Sequence, residues 1–585
     1  MQNVIILKFG SSVLRSTDDL PNVVHEIYRW YRAGHAVIAV VSAIGKTTEA
    51  LIRDSRTLTE SPEPFSTAEL LATGERTSAA LLGIALDRSG VPARVVNPRE
   101  IGFEVAGTPL DSEPVSLDTA RVHQLLAEHS VLVVPGFFGT DKAGRTHLLG
   151  RGGSDLTAVF LAVELKARCR LLKDVDGVYE SDPADPEAHP RRYAQLNYQD
   201  ALRVAGKLIQ PKAVSYLARN HASCEVAALA LPYATRVHGA GTAHATPTPN
   251  RTPLNVVILG CGTVGFGVYR RLCANRDLFR VVGVLVREPA RHEAAGVPAE
   301  LLHTRSETLA KVKPALVVDA LSGSERSHAL VDRYLSEGVD VVSANKAMIA
   351  QFGCALVQIA KQSGATMRYS AAVGGAGPML EAVDRARQRG DINSLAAVLN
   401  GTCNFILDAC ASGDSLASAI REAQRLGFAE SDPTEDLSSR DAARKIAILA
   451  RHAFGVEAPV NEIQALDESV TEATRTAVAQ GHRLRQLARA TVRDGEVALS
   501  VTFEPVSPKS PLYSLSGEWN ALTVTLADGE AELVSGRGAG RWPTTEAVIA
   551  DVFTIGRFRC DSKNKPERIS EARLASVGGV QSILR

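Results

Sequence analysis

The sequence is poor in the features that mark metal centres, secreted proteins and nucleic-acid binders. Its 8 cysteines form no Cys-x-x-Cys pair and its 14 histidines show no metal-ligand spacing, so a structural zinc site is not expected. Lysine plus arginine equals aspartate plus glutamate at 65 each, which leaves no net charge to attract nucleic acid or anionic lipid. No apolar run approaches the length of a membrane span or of a secretory signal. We therefore expect a cytoplasmic protein with reduced cysteines and no nucleic-acid or membrane partner.

What the sequence does contain is a glycine-rich turn in the middle of its 585 residues. An apolar run at residues 256–259 predicts a buried parallel strand, and a helical segment is predicted at residues 266–275. Between them, glycines spaced as Gly-x-Gly-x-x-Gly permit a tight turn, close approach to a pyrophosphate, and close packing of the helix on the strand. The helix N-terminus then offers free N–H groups to the phosphates. The predicted dinucleotide contacts are Gly260, Gly262, Thr263, Val264 and Gly265.

The next predicted strand indicates which dinucleotide is bound. Residues 281–286 form this strand, and Arg287 stands at its end, where an acidic residue would accept hydrogen bonds from a ribose 2′-hydroxyl. No acidic residue is expected in that role. An arginine suits a 2′-phosphate, which favours NADP(H) over NAD(H). The alternative is that Arg287 is an ordinary surface residue and NAD(H) is the cofactor.

The first 235 residues predict a nucleotide-binding unit of a different kind. Strand-like runs at residues 4–9 and 36–41 alternate with helical segments at residues 22–33 and 68–88, which predicts an α/β sandwich with a largely parallel sheet. Lys8 and the small residues after it follow the first strand, where a cation and backbone N–H groups can hold phosphate oxygens. The alternative for a lysine at a strand end is an ordinary solvated charge.

Three further stretches, at residues 40–48, 70–78 and 149–157, accompany Lys8. Together they resemble the aspartokinase branch of the amino acid kinase family, and the Gly-Arg-Gly-Gly-Ser-Asp run is the most specific part. The resemblance implies ATP with Mg²⁺ as the phosphoryl donor and aspartate as the acceptor. It implies that Lys8 and Lys207 contact the phosphate and that Asp155 orients these lysines. The implied substrate pocket consists of Ser42, Thr48, Glu75, Arg151 and Ser154. The implied nucleotide contacts are Gly10, Lys173, Asp174 and Tyr179.

Two of these residues match the chemistry of an amino diacid. A guanidinium fork such as that of Arg151 suits a substrate carboxylate, and an acidic group such as Glu75 suits the ammonium. The first loop, Lys8-Phe-Gly-Ser-Ser-Val13, is however one residue shorter than usual in aspartokinases and closer to the glutamate 5-kinase branch. An alternative is therefore a kinase domain that phosphorylates another amino acid or serves as a catalytically altered scaffold. Residues 239–253 predict a linker, which leaves no room for the tandem ACT regulatory domains of aspartokinases.

Motifs at residues 341–347, 400–406 and 427–445 resemble homoserine dehydrogenases, and the match spans residues 254–555. The resemblance implies NADP(H)-dependent interconversion of aspartate 4-semialdehyde and homoserine, with a strand at residues 400–406. The implied site residues are Lys445 for proton transfer with Lys346 sharing the task, Glu430 for the substrate ammonium, Asp436 in the same polar cluster, and Asn345 and Gly540 for the cofactor.

Asp441 and Lys445 are four residues apart in a predicted helix, so both project from one face. Asp441 would then hold Lys445 in place, whereas an isolated pair of this kind is ordinarily a surface ion pair. Residues 369–378 resemble a loop that binds a monovalent cation, Na⁺ or K⁺, through backbone carbonyls and a glutamate. The implied carbonyls are those of Val373, Gly375 and Gly377, and Ser370 stands in the place of the glutamate.

The predicted organisation is two catalysts in series. The predicted segments are a kinase domain at residues 1–238, a linker at 239–253, a Rossmann NADP-binding domain at 254–390, an α+β catalytic and dimerisation domain at 391–535, a return to the cofactor domain at 536–560, and a tail at 561–585. The resemblance to both families implies a homodimer or homotetramer. A further alternative treats both halves as metabolite sensors without turnover.

Overall fold

A computed structural model of the protein describes residues 3–185, 189–206, 208–246, 252–309 and 311–560. Along these residues the chain forms an α/β sandwich, a dinucleotide-binding domain and an α+β domain, as predicted. In the same ranges, no helix is both long enough and apolar enough to cross a lipid bilayer. The predicted phosphate contact Lys207 and the predicted tail at residues 561–585 lie outside the described residues.

The first domain is built on two sheets. Its strands are β1 Val4–Phe9, β2 Ala36–Val41, β3 Ala93–Val95, β4 Glu104–Thr108, β5 Asp111–Ser116, β6 Val131–Pro135, β7 Phe138–Thr140, β8 Thr146–Leu148, β9 Arg168–Lys173, β10 Tyr193–Leu196, β11 Cys224–Ala228, β12 Ala234–Val237 and β13 Ala243–His244. The large sheet has the order β13-β10-β12-β11-β9-β1-β2-β6-β3, and the small one has the order β5-β4-β7-β8. β1 pairs in parallel with both β2 and β9, so the centre of the large sheet is parallel as predicted.

Helices cover both faces of the large sheet. They are α1 Leu20–Arg32, α2 Thr47–Leu58, α3 Pro64–Arg88, α4 Thr119–His129, α5 Gly153–Glu164, α6 Tyr198–Val204 and α7 Pro211–Arg219. Successive residues of a strand face opposite sides. Ile5 of β1 therefore packs in the cluster formed with α1 and α3, whereas Ile6 packs in the cluster formed with α4, α5 and α7.

The large sheet extends further along the chain than predicted. Ala243 and His244 form β13, which pairs antiparallel with β10, and Ala245 N donates to Arg192 O at 2.8 Å. The linker prediction for residues 239–253 is therefore wrong for this part of the segment. Its Gly, Ala and Thr composition is typical of a linker, but pairing at a sheet edge uses backbone groups and places little demand on side chains.

The second domain is a parallel sheet with helices. Its strands are β14 Leu254–Leu259, β15 Phe279–Leu285, β16 Leu302–His303, β17 Leu316–Asp319, β18 Asp340–Ser343 and β19 Met367–Arg368, and its helices are α8 Thr263–Cys273, α9 Pro289–Glu293, α10 Ser306–Leu309, α11 Glu325–Ser336, α12 Lys346–Ser363 and α13 Ala371–Gly374. The strand order is β16-β15-β14-β17-β18-β19. The chain leaves β14 towards β15 on one side and later returns to β17 on the other, which creates the crevice where such sheets bind dinucleotides.

The third domain carries the other site elements. Its strands are β20 Ile392–Val398, β21 Val460–Ile463, β22 Arg483–Arg493, β23 Glu496–Val506, β24 Trp519–Leu526 and β25 Ala531–Arg537, and its helices are α14 Met379–Arg389, α15 Gly401–Ala411, α16 Leu416–Arg425, α17 Thr434–Leu437, α18 Arg440–Phe454 and α19 Glu468–Ala479. Residues 400–406 are not the predicted strand. They begin α15, because the Asn400 side chain accepts a hydrogen bond from Cys403 N at 2.8 Å and caps the helix.

The last described helix, α20 Arg541–Cys560, lies between the two halves of the chain. On one side it packs on α8, where a Cβ at Gly267 would lie 2.7 Å from Thr545 Oγ1. On the other side Ala550 joins the hydrophobic cluster of α1 and α3, and Glu546 contacts the His25 ring at 2.7 Å. The first domain and the dehydrogenase-like half therefore share a continuous buried interface.

Candidate active sites

A buried carboxylate with two lysines lies at the carboxyl end of the central strands of the first domain. β1 and β9 are parallel neighbours, so Lys8 and Lys173 reach the same edge of the sheet. Asp155, in the first turn of α5, lies 2.8 Å from Lys8 Nζ and 3.2 Å from Lys173 Nζ. Burial opposes ionisation of Asp155, but the two ammonium groups hold its pKa below the usual value. With two cations against one anion, the cluster suits an anionic phosphate.

Glu75 of α3 lies in the wall of the same pocket. Its Oε1 accepts a hydrogen bond from Ala43 N at 3.1 Å, whereas Oε2 is buried with no hydrogen-bond partner among the described residues. Burial raises the pKa of Glu75 to about 7. A buried carboxylate with an open oxygen is costly until a cation approaches it. The position therefore fits an ammonium group.

A pocket of about 870 Å³ joins these groups. The predicted residues that line it are Lys8, Gly10, Ser42, Thr48, Glu75, Arg151, Ser154, Asp155, Lys173 and Asp174. A Cβ at Gly10 would lie 2.8 Å from Lys8 Nζ, so a glycine there leaves room for the ammonium. Ser11 and Ser12 of the predicted phosphate-binding loop also line this pocket. The sequence predictions missed Gln210, which lines it too.

Two predicted nucleotide contacts, Tyr179 and Lys173, differ in their place relative to this pocket. Tyr179 is not among the lining residues, and its hydroxyl donates to Asp176 Oδ1 at 2.6 Å. Lys173 lines the pocket and also contacts Asp155. It is the last residue of β9 and therefore lies beside the end of β1.

The glycine-rich turn after β14 has the geometry that its spacing predicts. Gly260 has a φ of +90°, and a Cβ at Gly265 would lie 2.0 Å from the carbonyl oxygen of Gly260. Both positions therefore require glycine. A Cβ at Gly262 would meet nothing within 4 Å, which leaves this side open to a pyrophosphate. α8 begins at Thr263 and Val264, whose N–H groups have no partner within the helix.

A pocket of about 340 Å³ runs from this turn past the end of β15. Arg287 lines it, and its Nη2 lies 3.3 Å from Ser322 Oγ. Arg291 and Arg326 line the same pocket, so a phosphate there would meet three guanidinium groups. Glu288 also lines it, which corrects the expectation that no acidic residue stands at this point.

In the third domain, the carboxylate of Asp441 contacts both predicted lysines. One oxygen lies 2.8 Å from Lys445 Nζ, one turn later on α18, and the other contacts Nζ of Lys346, the first residue of α12. Lys445 Nζ also donates to Leu399 O at 2.7 Å. Burial opposes ionisation of Asp441, but the ammonium groups of Lys445 and Lys346 hold its pKa far below the usual value.

Asn345 connects this cluster to the dinucleotide pocket. Its Oδ1 accepts from Met348 N at 3.1 Å and caps α12, and its Nδ2 donates to Gly323 O at 2.7 Å. The residues just before Gly323 line the pocket that begins at the glycine-rich turn. The first turn of α12 therefore places Lys346 between the dinucleotide pocket and Asp441.

Asn400 is a polar residue of this cluster that the sequence predictions missed. Its Nδ2 lies 2.7 Å from Asp436 Oδ1 and 3.3 Å from Asp441 Oδ2. Its place at the start of the motif at residues 400–406 is the signal that could have found it. Glu430 is exposed, and its backbone carbonyl accepts a hydrogen bond from Gln424 Nε2 at 3.2 Å.

Comparison with known proteins accounts for both halves. The model for the amino acid kinase family matches residues 3–227, that for the NAD-binding domain of homoserine dehydrogenase matches residues 260–370, and that for homoserine dehydrogenase matches residues 378–553. The chain is 32% identical over 337 residues to homoserine dehydrogenase of Corynebacterium glutamicum, covering 55% of this chain and 76% of that protein. The chain belongs to the homoserine dehydrogenase family. It carries an amino acid kinase domain before the dehydrogenase domains.

Two further similarities support this family membership. Homoserine dehydrogenase of Pseudomonas aeruginosa is 32% identical over 356 residues, covering 56% of this chain and 80% of that protein. The crystal structure of homoserine dehydrogenase from Thiobacillus denitrificans matches with a TM-score of 0.50 at 31% identity, covering 55% of this chain and 76% of that one. Both of these proteins are homoserine dehydrogenases, and each match covers a little over half of this chain.

Gly540 stands where the homoserine dehydrogenase half returns to the dinucleotide domain. It has a φ of +105° and its carbonyl accepts a hydrogen bond from Thr544 N at 3.2 Å, in the first turn of α20. Because α20 packs on α8, Gly540 belongs to the turn that brings the chain back to the cofactor domain. It is not among the residues lining the dinucleotide pocket.

The loop at residues 369–378 of the homoserine dehydrogenase half does not fit a monovalent cation. Val373 and Gly375 lie in and directly after α13, and the Gly377 carbonyl already accepts from Met379 N at 2.8 Å. Ser370 Oγ donates to Glu381 Oε1 at 2.6 Å. A guanidinium from the kinase domain already neutralises this carboxylate, so it is not free to hold Na⁺ or K⁺.

Proposed function

We propose that the homoserine dehydrogenase half interconverts L-aspartate 4-semialdehyde and L-homoserine, with NADP(H) as its cofactor. The cluster of Lys346, Asp441 and Lys445 beside a dinucleotide pocket carries this proposal. Aldehyde reduction needs a proton donor next to the nicotinamide end of the cofactor, and ammonium groups fixed by a carboxylate supply one.

The chemistry divides between the cofactor and the chain. When bound, NADPH supplies the hydride that adds to the aldehyde carbon. The C=O π bond breaks and its electron pair remains on oxygen, which takes a proton from an ammonium. Lys445 is the proton donor, with Lys346 sharing the task at the more open side, where its side chain is 36% exposed. Asp441 holds both lysines in place. In the reverse reaction the neutral amine left by the forward step takes the hydroxyl proton.

The substrate and cofactor contacts follow from the remaining groups. Asp436, oriented by Asn400, and Glu430 offer carboxylates to the substrate ammonium. Arg287, Arg291 and Arg326 favour the 2′-phosphate of NADP(H), because three cations face one acid, Glu288.

The decisive experiment for this half is homoserine-dependent reduction of NADP⁺ by the full chain, followed through the nicotinamide absorbance. NAD⁺ is assayed in parallel, and threonine and serine serve as substrate controls. We expect turnover with homoserine and a higher kcat/KM for NADP⁺. Absence of homoserine-dependent reduction with either cofactor would refute the proposal.

We further propose that the kinase domain phosphorylates L-aspartate to 4-phospho-L-aspartate with ATP and Mg²⁺. The open oxygen of Glu75 carries this proposal, because it lies on the same pocket as Arg151 and the Lys8–Asp155–Lys173 cluster. Glu75 accepts the substrate ammonium and Arg151 a carboxylate. Lys207, the other predicted phosphate contact, stays a prediction.

Transfer requires positioning more than proton chemistry. A side-chain carboxylate oxygen of aspartate attacks the γ-phosphorus, a P–O bond forms, and the bond from phosphorus to the ADP oxygen breaks. The attacking oxygen is already anionic, so no general base is needed. Lys8 and Lys173 neutralise the charge that develops on the phosphoryl oxygens, and Asp155 holds both lysines in the pocket.

A hydroxylamine trap for acyl phosphates distinguishes the candidate kinase functions. We expect ATP-dependent hydroxamate with aspartate and little with glutamate. The shorter loop after Lys8 motivates the alternative, so a preference for glutamate would assign a different amino acid kinase. No turnover with either acid, alongside an active dehydrogenase, would leave the domain a scaffold.

Together the two activities would supply steps in threonine and methionine biosynthesis, and the phosphorylated product would also feed lysine biosynthesis. The dehydrogenase that acts between these two steps is not among the matched families of this chain. A homodimer or homotetramer remains the predicted assembly, and sedimentation of the full chain tests it.

A further inference from the structure

A buried ion cluster joins the kinase domain to the homoserine dehydrogenase half. Arg32, the last residue of α1, is its centre. Its Nη2 donates to Ser370 Oγ and its Nε to Glu381 Oε1, both at 2.8 Å, and Nη2 also contacts Asp551. The side chains of Arg32 and Asp551 are 7% and 0% exposed. One guanidinium from the kinase domain thus holds three side chains of the dehydrogenase half.

Those three side chains come from the joint between the two dehydrogenase domains. Ser370 follows β19, the last strand of the dinucleotide sheet, Glu381 lies on α14, the first helix of the third domain, and Asp551 lies on α20. Ser370 N also donates to Asp551 Oδ2 at 3.0 Å. A single buried cation therefore fixes the segment through which the dinucleotide domain passes into the catalytic domain.

The charges at this joint balance without any bound ion. Burial opposes ionisation of Glu381, but Arg32 lowers its pKa to about 2. Arg368 lies 3.5 Å from Asp551, so two guanidinium groups face two carboxylates. An additional Na⁺ or K⁺ would find no uncompensated negative charge here, because both carboxylates are already paired.

The backbone around Arg32 is held from the same side. Arg385 Nη1, on α14, donates to the carbonyl of Arg32 at 2.6 Å. Tyr31, the preceding residue, donates its hydroxyl to Ser535 O at 2.6 Å. The end of α1 is therefore anchored at three points, and the Arg32 side chain is delivered to the joint in a fixed position.

We propose that Arg32 acts as a tethered cation of the dehydrogenase half. It contacts Ser370, which stands in the place of the glutamate of the resemblance's cation-binding loop, and it is a positioning residue for the dehydrogenase reaction. The kinase domain thereby supplies a structural part of the joint between the two dehydrogenase domains, whether or not it transfers phosphate. The inference rests on the proposed dehydrogenase activity of the second half.

The test uses the full chain and two arginine variants. Arg32→Ala removes the cluster cation. Arg271→Ala is the matched control, because Arg271 Nη1 also bridges the halves, to Pro21 O at 2.7 Å, but does not contact the joint. Dehydrogenase kcat and KM are measured in NaCl, KCl and choline chloride at equal ionic strength, with and without millimolar guanidinium. The melting temperature of each variant reports whether it is folded.

The dehydrogenase kcat of the wild-type protein is expected to be equal in the three salts, within about twofold. Arg32→Ala is expected to lose about tenfold or more in kcat, since breaking a buried ion pair leaves unpaired carboxylates. Guanidinium should restore several-fold of that loss in Arg32→Ala, whereas choline should not. Arg271→Ala should show no such rescue.

Several results would overturn the proposal. A wild type that requires Na⁺ or K⁺ would show that Arg32 does not replace the ion. Arg32→Ala with unchanged activity and melting temperature would show that Arg32 makes only a general interface contact. Equal losses of kcat in Arg32→Ala and Arg271→Ala, without rescue by guanidinium, would show the same. If Arg32→Ala does not fold, Arg32→Lys keeps the charge and should fold with a lower kcat and an unchanged KM for NADPH. An inactive wild type would refute the proposed function instead.

Discussion

Lys346 Nζ contacts the carboxylate of Asp441 although the two residues are 95 positions apart and lie in different domains. The lysine begins α12, the helix that follows β18 of the dinucleotide domain, and the aspartate is the second residue of α18 in the third domain. Cofactor and substrate must meet where these domains meet. This ion pair therefore marks the place where we expect hydride and proton transfer to occur.

Replacing Lys445 should separate chemistry from binding. We expect Lys445→Met to lower dehydrogenase kcat by about 10²-fold or more, because proton transfer by a positioned group contributes on that scale. NADPH affinity, measured by fluorescence titration, should change little. Lys361→Met, at an exposed position of α12, is the control and should behave as wild type. A Lys445→Met enzyme that oxidises homoserine at the wild-type rate would remove this residue from the mechanism.

Glu75 should make the kinase reaction sensitive to pH near neutrality. Its pKa is raised to about 7 by burial, and only the ionised form binds an ammonium. We expect the KM for aspartate to rise as pH falls from 8 through about 7 to 6. Steady-state kinetics across that range would show it, and the same profile in Glu75→Gln would contradict the assignment.

Glu75 should lower the stability of the folded protein near neutral pH when the pocket is empty. A carboxyl whose folded pKa is raised favours the folded state at pH values below the unfolded pKa, near 4.5, and loses that contribution as pH rises through about 7. Glu75→Gln should therefore raise the melting temperature at pH 8 but not at pH 4.5. At pH 8 the substitution should raise the free energy of unfolding by about 1 to 3 kcal/mol. A melting temperature lowered by the substitution at pH 8 would argue that Glu75 is already paired.

Substitution of two glycines of the dinucleotide turn should have different effects on stability and on cofactor binding. Gly265→Ala places a Cβ 2.0 Å from the Gly260 carbonyl, so we expect destabilisation of about 1 to 3 kcal/mol and loss of cofactor binding. Gly262→Ala meets open space and should melt like wild type, yet bind NADPH at least about tenfold more weakly, because the methyl group occupies the phosphate approach. Thermal unfolding and cofactor titration of both variants test the pair. Normal cofactor affinity in Gly262→Ala would move the pyrophosphate elsewhere.

The arginines beside Ser322 should set the cofactor preference. Arg287→Ala is expected to raise the KM for NADP⁺ by about tenfold, since one charged hydrogen-bond partner of a phosphate is worth about 1.5 to 3 kcal/mol. The KM for NAD⁺ should stay nearly constant, because that cofactor lacks the 2′-phosphate. Arg280→Ala, an exposed position on β15, is the matched control. Equal effects on both cofactors would show that Arg287 does not read the 2′-phosphate.

Local sequence patterns predicted the parts of this protein that depend on neighbours in the chain. β1 and β2 have the predicted bounds, because short, largely apolar runs that alternate with helical segments are typical of buried strands in a parallel α/β sheet. The glycine turn after β14 also formed as predicted, since the positive φ of Gly260 and the close approach of Gly265 to the Gly260 carbonyl both lie within six residues of the chain.

A predicted strand did not form, and several contacts of the sites lay beyond the reach of local patterns. Residues 400–406 were predicted as a strand, but Asn400 caps a helix through Cys403 N. The contacts of Asn400 with Asp436 and Asp441, and that of Lys173 with Asp155, join separate elements of the fold. The local spacing of residues could not reveal them.

The sequence alone therefore indicated an amino acid kinase domain followed by a homoserine dehydrogenase, because the motifs of both families are local runs of residues. The tertiary structure decided how the halves depend on each other. Arg32 was an unremarkable arginine at the end of a helix in the sequence, and it became a buried cation only when folding placed Ser370, Glu381 and Asp551 around it. Burial and charge pairing arise from the packed chain as a whole, so only the three-dimensional structure could show them.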